Sequence, residues 1–394
     1  MPVWHAKTNA LRTAGKLQVV GIVQEQHPSR AQLFMQFKQM NWPVMVDSLD
    51  LLGLKVVPVA VAIDEHGIVR HVNPKPDTLA REFVAKTYAK GPVPPPAGKP
   101  DLDALRSKAR ANPSPNNLRA LGDATFLWGG RQYTGDAIAA YRRALRGDDD
   151  PALMFRLGVA SRRRFDALGE SRDFAFAVGH WQRAIDRDPN QYIWRRRIQQ
   201  YGPRSTKPYP FYDWVAGARK AIIARGEKPI SLEVEPRGAE LAKPLGSQET
   251  ARTPPAAKDP DPKRKVRRDE GYVATSIVIV PPHIKAGQTA RVHVRFQPRA
   301  VKTAHWNNEA EDLALWISPP AGWTVDRKLS THPRPKSETS DELRKVEIEV
   351  TAPATAKPGV TPVAAHAVYY VCEDKDGSCL YRRTDLRIPI RVVP

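Results

Sequence analysis

Residues 56–72 read VVPVAVAIDEHGIVRHV. Val56–Ile63 is an apolar, β-branched run with the look of a strand. Asp64-Glu65-His66-Gly67 is a turn with glycine where positive φ is easiest, and Ile68–Val72 is the return strand. Pro58 stands inside the first run, where it removes a ladder donor, and a cis peptide bond before it is one arrangement that accommodates it. Upstream, Leu17–Val23 reads as a buried strand. Ser29 can cap a helix carrying Leu33, Phe34, Phe37 and Met40, and Pro43–Val46 is a further strand. Downstream, Asp77 opens a helix with Leu79, Phe83 and Val84. Residues 1–90 thus read as a small α/β segment.

Proline-rich seams bound that segment and the next. The chain has 394 residues with 37 prolines, nearly twice ordinary usage. Gly91–Lys99 (GPVPPPAGK) reads as a semi-rigid spacer, giving a linker at 91–100. Residues 231–270 are poor in aromatics and rich in Pro, Ala, Lys and Arg, and read as a disordered basic linker. The globular segments are then 1–90, 101–230 and 271–394.

The middle segment carries an imperfect repeat. Leu121-Gly122 is followed by Ala137, Tyr141 and Ala144; Leu157-Gly158 is followed by Ala177, Trp181, Ala184 and Pro189. Small residues let two antiparallel helices approach while the aromatic fills the gap. Trp194 and Tyr201 fit the opening of a third copy, and Trp214–Arg225 a last helix. Arg142-Arg143, Arg162-Arg163-Arg164 and Arg195-Arg196-Arg197, with KRKVRR at Lys263–Arg268, supply much of the net charge of +20. No recognition helix, zinc finger or RNA platform accompanies them, so they read as a solvated basic face rather than a nucleic-acid site. Attraction to an anionic surface is the remaining role for it.

From Gly271 the pattern becomes short alternating runs: VATSIVIV, ARVHVRFQ, LALWISPP, KVEIEVTAP, VAAHAVYYVC and LRIPIRVV. Turns such as KAGQ, PAGW and KPGV divide them, as in an antiparallel β-sandwich of immunoglobulin type. The only two cysteines, Cys372 and Cys379, flank a six-residue loop with Asp-Gly at its turn. They are too few for a zinc site or a disulfide scaffold, but a hairpin there can bring them to bonding distance. Exchange, a structural disulfide and free thiols all stay open. His305-Trp306-Asn307-Asn308-Glu309 reads as an internally satisfied loop, and no histidine is evident beside the cysteines. Lys375, Arg382 and Arg383 are the cations able to lower a thiol pKa. No metal-ligand pattern, P-loop or Gly-x-Ser-x-Gly motif is present, so no metal or cofactor is expected. No run of about 18 apolar residues could span a membrane.

Three family resemblances follow from these residues. VVGIV, WPVMVD and VVPVAVAIDEHGIVR make residues 1–88 resemble the redoxin-type thiol–disulfide oxidoreductases of the thioredoxin superfamily. The resemblance implies a substrate-binding role for Pro58 and its neighbour Val57. The family's Cys-x-x-Cys is missing. Members continue from that motif to Met-Pro, where this chain begins, so either its true start lies upstream or the domain is redox-dead. The middle segment resembles tetratricopeptide repeats, which implies a bound peptide or partner protein. Tyr369-Tyr370-Val371-Cys372…Cys379-Leu380-Tyr381, ending in Ile388-Pro389-Ile390, resembles the amino-terminal periplasmic domain of thiol:disulfide interchange proteins. That implies an exchanging pair, Cys372 and Cys379, shielded by Tyr370 and Tyr381.

The expectation is therefore a multidomain chain: a thioredoxin-like α/β fold, tetratricopeptide-like helices, then an immunoglobulin-like sandwich. It would pass electrons between partner proteins outside the cytoplasm, in the periplasm or its equivalent, if its true start is upstream. The alternative is a non-enzymatic scaffold with a redox-dead fold and a structural disulfide, cytoplasmic if Met1 is the genuine start.

Overall fold

The computed structural model of the protein describes residues 1–91, 98–147, 149–204, 211–241, 257–373 and 377–394. They form two compact units, residues 1–197 with 212–236 and residues 198–211 with 237–394. Helices make up much of the first; antiparallel sheets make up most of the second.

The first unit opens with α1 (Pro2–Thr13), β1 (Gly21–Val23), α2 (Pro28–Phe37), β2 (Val44–Val46), β3 (Val61–Ile63) and β4 (Val69–Val72). β1 and β2 pair in parallel, β3 and β4 antiparallel. The β3–β4 turn is built by Asp64, whose carboxylate accepts the His66 and Ile68 N–H groups at 2.9 Å. Gly67 takes the positive φ of 78° that the turn needs. Ala62 is buried against Leu79 and Phe83, with Trp4 of α1 packed on the same cluster. The opposite face is bare: Ile22 and Met45 face each other across one pair, Val61 and Val72 across the other, and all four are exposed.

Several expectations shift here. Strand structure starts at Val61, because Pro58 cannot donate to a ladder, and the Val57–Pro58 bond is cis. Leu17–Val20 lies outside β1, and Ile22 is exposed rather than buried. Pro28 opens α2 behind His27, so Ser29 is not its cap; its hydroxyl accepts the Glu233 N–H instead. The helix expected from Asp77 is a short π-turn, Ala80–Val84.

Helices follow: α3 (Leu102–Ala111), α4 (Pro115–Trp128), α5 (Thr134–Ala144), α6 (Pro151–Leu168), α7 (Ser171–Arg187), α8 (Tyr192–Gln199) and α9 (Trp214–Ala224). Asp101, Ser114 and Asp150 cap α3, α4 and α6 through side-chain oxygens, and Gly169 ends α6 at φ 73°. α4 pairs with α5 and α6 with α7. The small–aromatic spacing works as the sequence implies. A Cβ on Gly122 would lie 2.5 Å from the Tyr141 ring, and one on Gly158 2.5 Å from Trp181. Ala137, Ala144, Ala177 and Ala184 are fully buried around these rings.

The spacer at 91–100 does not divide compact units, although its residues 92–97 lie outside the described residues. Residues 1–90 and the helices share buried polar contacts that tie them together. Trp194 Nε1 donates to Asp50 at 2.9 Å, Gln26 Nε2 to the Val159 carbonyl at 3.1 Å, and Arg197 to Gln26. Phe34 and Phe37 pack on Trp214 of α9. Some of the arginines are less solvated than expected, although Arg142, Arg143, Arg195 and the basic residues of Lys263–Arg268 are exposed. Arg162 and Arg197 are buried, Arg164 grips Asp173 with two bonds, and Arg163 lies 3.4 Å over the Phe126 ring. Burial pulls the Arg163 guanidinium down to about 10. Their long stems fill space between helices while carboxylates and carbonyls take the charge.

The second unit has β5 (Val273–Val280), β6 (Ile284–Lys285), β7 (Thr289–Pro298), β8 (His305–Asn307), β9 (Leu313–Ser318), β10 (Thr324–Val325), β11 (Leu329–His332), β12 (Thr339–Ser340), β13 (Arg344–Thr351), β14 (Gly359–Cys372) and β15 (Cys379–Val393). The alternating runs of the sequence become β5, β7, β9, β13, β14 and β15. One sheet runs β10-β13-β7-β5; the other runs β11-β9-β14-β15-β6, with β8 beside β14 and β12 beside β8. All pairings in the two sheets are antiparallel except β15–β6. They enclose one core that includes Val292, Val294 and Phe296 from the first sheet and Trp306, Leu315, Tyr369 and Ile388 from the second.

Both outer faces carry cover. On β7 and β13, His293, Arg291, Glu347 and Glu349 are buried or nearly so under residues 198–204 and 237–240. Burial would raise the Glu347 carboxyl, but His293 and Arg291 beside it outweigh that and hold it at about 2. The expected disordered linker is also partly built into this unit. Asp261 is buried with Arg383 at 2.8 Å, and Asp259 meets His366 at 2.9 Å. The Arg267 carbonyl and the Asp269 N–H bond the backbone of Arg383. Local composition cannot reveal this, because the partners come from β14 and β15. Residues 242–256 of that stretch lie outside the described residues.

Candidate functional site

β14 and β15 form one long hairpin in which Cys372 faces Cys379, Tyr370 faces Tyr381 and Val368 faces Arg383. Alternation decides which way each side chain points. Ala367, Tyr369 and Val371 enter the core, so Val368, Tyr370 and Cys372 point to the outer face. The cysteines thus sit outside the core, as the last pair of the hairpin before its connecting loop. The Glu373 N–H donates to the Ser378 carbonyl, which makes Cys372 and Cys379 the neighbouring non-hydrogen-bonded pair. Antiparallel strands bring side chains closest at such pairs. The two sulfurs are joined in a disulfide, with Cα atoms 3.9 Å apart.

The two halves of the bond differ in access. Cys372 is only 2 % exposed, whereas Cys379 is exposed. Tyr370 and Tyr381 stack with ring centroids 4.4 Å apart, one pleat along the same face. Burial, with Glu311 beside it, raises the Tyr370 phenol, and burial raises that of Tyr381. Both are therefore neutral aromatic cover. Tyr272 donates its hydroxyl to Glu373 at 2.8 Å, which anchors the residue that follows Cys372.

The cations proposed from sequence divide three ways. Lys375 lies outside the described residues. Arg383 is held by Asp261 and Asp385. Arg382 points the other way, toward the Tyr272 ring. A histidine was missed. β8 pairs with β14 so that His305 faces Cys372 and Trp306 faces Val371. Across three strands the outer face therefore carries His305, Cys372 and Cys379 in one row. The stretch 305–309 is only partly a loop, since Trp306 is a fully buried core residue donating to the Glu342 carbonyl at 2.8 Å. The alternation His-Trp-Asn, with the large apolar residue in the middle, was the available signal for a strand.

Val57 and Pro58 belong to the first compact unit and the cysteines to the second. Val57 is exposed. Among the described residues no group of three or more His, Cys, Asp or Glu side chains could hold a metal ion. No described helix is long and apolar enough to cross a membrane.

No family model matches the chain, and no curated protein matches it. Among solved structures it is similar to the GAE domain of yeast GGA1, with 13% identity and a TM-score of 0.18, over 30% of this chain and 94% of that one. It is similar to AggA, the major subunit of aggregative adherence fimbriae type I of Escherichia coli, with 15% identity and a TM-score of 0.18, over 32% and 98%. It is also similar to Spo0M, a sporulation control protein of Bacillus subtilis, with 13% identity and a TM-score of 0.16, over 31% and 51%. Likenesses at this level transfer neither fold nor activity.

Proposed function

We propose that this protein exchanges disulfides with partner proteins through Cys372 and Cys379, outside the cytoplasm. The observation that carries the reading is the unequal exposure of the two cysteines, at the loop end of a hairpin and apart from the core. A disulfide needed only for bracing gains nothing from an exposed sulfur. An exchanging one requires it, because the incoming thiolate must approach in line with the bond. The thiolate of a partner dithiol attacks Cys379 Sγ, the disulfide breaks, and its electron pair leaves on Cys372. The partner's second thiolate then attacks its own sulfur in the mixed disulfide and frees Cys379. Two electrons pass to this chain and the partner is left oxidised. Tyr370 and Tyr381 form an aromatic flank beside the pair, against which a partner's side chains can pack.

In this reading residues 271–394 are an immunoglobulin-like domain of the interchange type, the helices are tetratricopeptide-like repeats that hold a protein partner, and residues 1–90 are thioredoxin-like, with Val57 and Pro58 lining a substrate surface. Its test is the reduction potential of the pair, with trapping by the Cys372→Ser variant. A potential well above −300 mV and a mixed disulfide through Cys379 support exchange; a potential below about −300 mV refutes it.

One observation favours a second reading. Both cysteines lie in the second unit, so residues 1–197 and 212–236 carry no thiol of their own. A scaffold whose α/β segment and helices only bind proteins, with Cys372–Cys379 as a structural brace, gives the low potential in the same measurement.

A further inference from the structure

Opening the disulfide at Cys379 leaves the electron pair on Cys372, which is 2 % exposed. A thiolate in so little water is costly, since burial raises thiol pKa values and a poor leaving group slows exchange. Something beside Cys372 has to meet that charge. His305 is its direct partner on β8, on the face opposite the core residues Trp306 and Val371. Directly opposed residues have Cβ atoms about 4.5–5.5 Å apart, within reach of an imidazole. His305 is half-buried, and its Nδ1 lies 3.4 Å from the Thr303 carbonyl, so Nε2 is the nitrogen left to turn toward the strand.

We propose that His305 is a catalytic residue of the exchange: as imidazolium it gives its proton to the Cys372 thiolate as the disulfide opens, and takes it back when the disulfide re-forms. This rests on the exchange reading above. The step balances as one S–S bond broken, one partner–Cys379 bond formed, and one proton moved from imidazolium to Cys372. Ionisable groups around the pair include Tyr370 with Glu311 beside it, Tyr381 with Asp261 and Glu311, and Glu373 with Tyr272, while β12, paired with β8, leads into Asp341 and Glu342 on the far side of His305. Lys302 and Arg382 lie over the Tyr272 ring. Of these side-chain types only an imidazole ordinarily changes charge between pH 5 and 8.

The test follows reduction of the full-length oxidised protein by dithiothreitol between pH 5.5 and 8, with each rate constant divided by the thiolate fraction of the reagent. In the wild type this corrected constant should rise as pH falls, by up to about a hundredfold, the low end of the usual range for general acid catalysis. His305→Ala and His305→Asn should both flatten the profile at its slow limit, while far-UV and near-UV circular dichroism stay unchanged. His305→Lys keeps a charge and should be flat but faster. A wild-type slope retained in His305→Ala overturns the role of His305 and leaves exchange standing. A wild-type pair that dithiothreitol does not open overturns both.

Discussion

Gly158 and Gly179 both lie inside helices, and replacing each with alanine should change stability in opposite directions. On propensity alone the substitution favours either helix by about 1 kcal/mol. At Gly179, in α7, nothing lies within 4 Å of the added methyl group, so that gain should appear undiminished. At Gly158, in α6, the methyl would meet Trp181 Cδ1 and Nε1 at 2.5 Å and the Ala177 carbonyl at 3.1 Å. Ordinary carbon contacts need about 3.5–4.0 Å, so the indole must move by roughly 1 Å. Trp181 is fully buried and has nowhere to go. Overpacking of this kind costs about 1–3 kcal/mol, and this contact belongs at the upper end. The net effect should be a loss of about 2 kcal/mol, which separates the two variants by about 3 kcal/mol. Thermal unfolding followed at 222 nm reads the helical unit. Shifts of about 2–4 °C per kcal/mol put Gly179→Ala a few degrees above the wild type and Gly158→Ala several degrees below it. A Gly158→Ala protein as stable as the wild type would refute the close approach of α6 and α7 at this glycine.

Three further outcomes follow from particular contacts. Ala62→Asp places a charge beside Leu79 and Phe83 and should cost several kcal/mol, whereas Ile63→Thr on the exposed side should stay within about 0.5 kcal/mol; thermal midpoints compare them. Because Glu347 is held at about 2, below its ordinary 4.5, its contribution is fully present above pH 4.5 and is lost as pH falls through 2. That contribution is about 3 kcal/mol, so Glu347→Gln should flatten the acid limb of a urea-midpoint-against-pH curve for the sheet unit; an unchanged limb counts against the pairing. Finally, the Lys263–Arg268 stretch is docked through Asp261, so Asp261→Ala should speed tryptic cleavage there about tenfold, as expected for about 1.4 kcal/mol of lost docking; mass spectrometry of the first fragments decides it.

What could be read from the sequence was what is local or periodic. The six alternating runs of the last segment became strands because period-two burial leaves its mark within each run. The glycine–aromatic spacing marked helix pairs because Gly122 and Gly158 had to be small where Tyr141 and Trp181 lie. Contacts between distant residues left no such mark. Asp50 gives no sign in sequence that Trp194 will bond it, nor Asp261 that Arg383 will. Residues 257–270 therefore looked like linker and the arginines looked like surface. His305 was hidden for the same reason, since its nearness to Cys372 depends on the register of two strands far apart in the chain.

The same long-range pairing bears on the net charge of +20. A nucleic-acid footprint needs cations that are free to displace counterions along a surface. Arg156 is matched to Asp123, Arg162 to Asp166 and Arg164 to Asp173, while Arg163 is spent on a ring and a carbonyl inside the helical unit. Arg291 and Arg383 are likewise buried between carboxylates in the sheet unit. Arginine serves here as a polar filler whose planar fork holds two acceptors while its stem packs like a hydrophobe. Since a one-to-one pair removes one charge of either sign, the excess of +20 stays on exposed side chains, the run Lys263–Arg268 among them, and any long-range attraction draws on that outer charge rather than on the buried arginines.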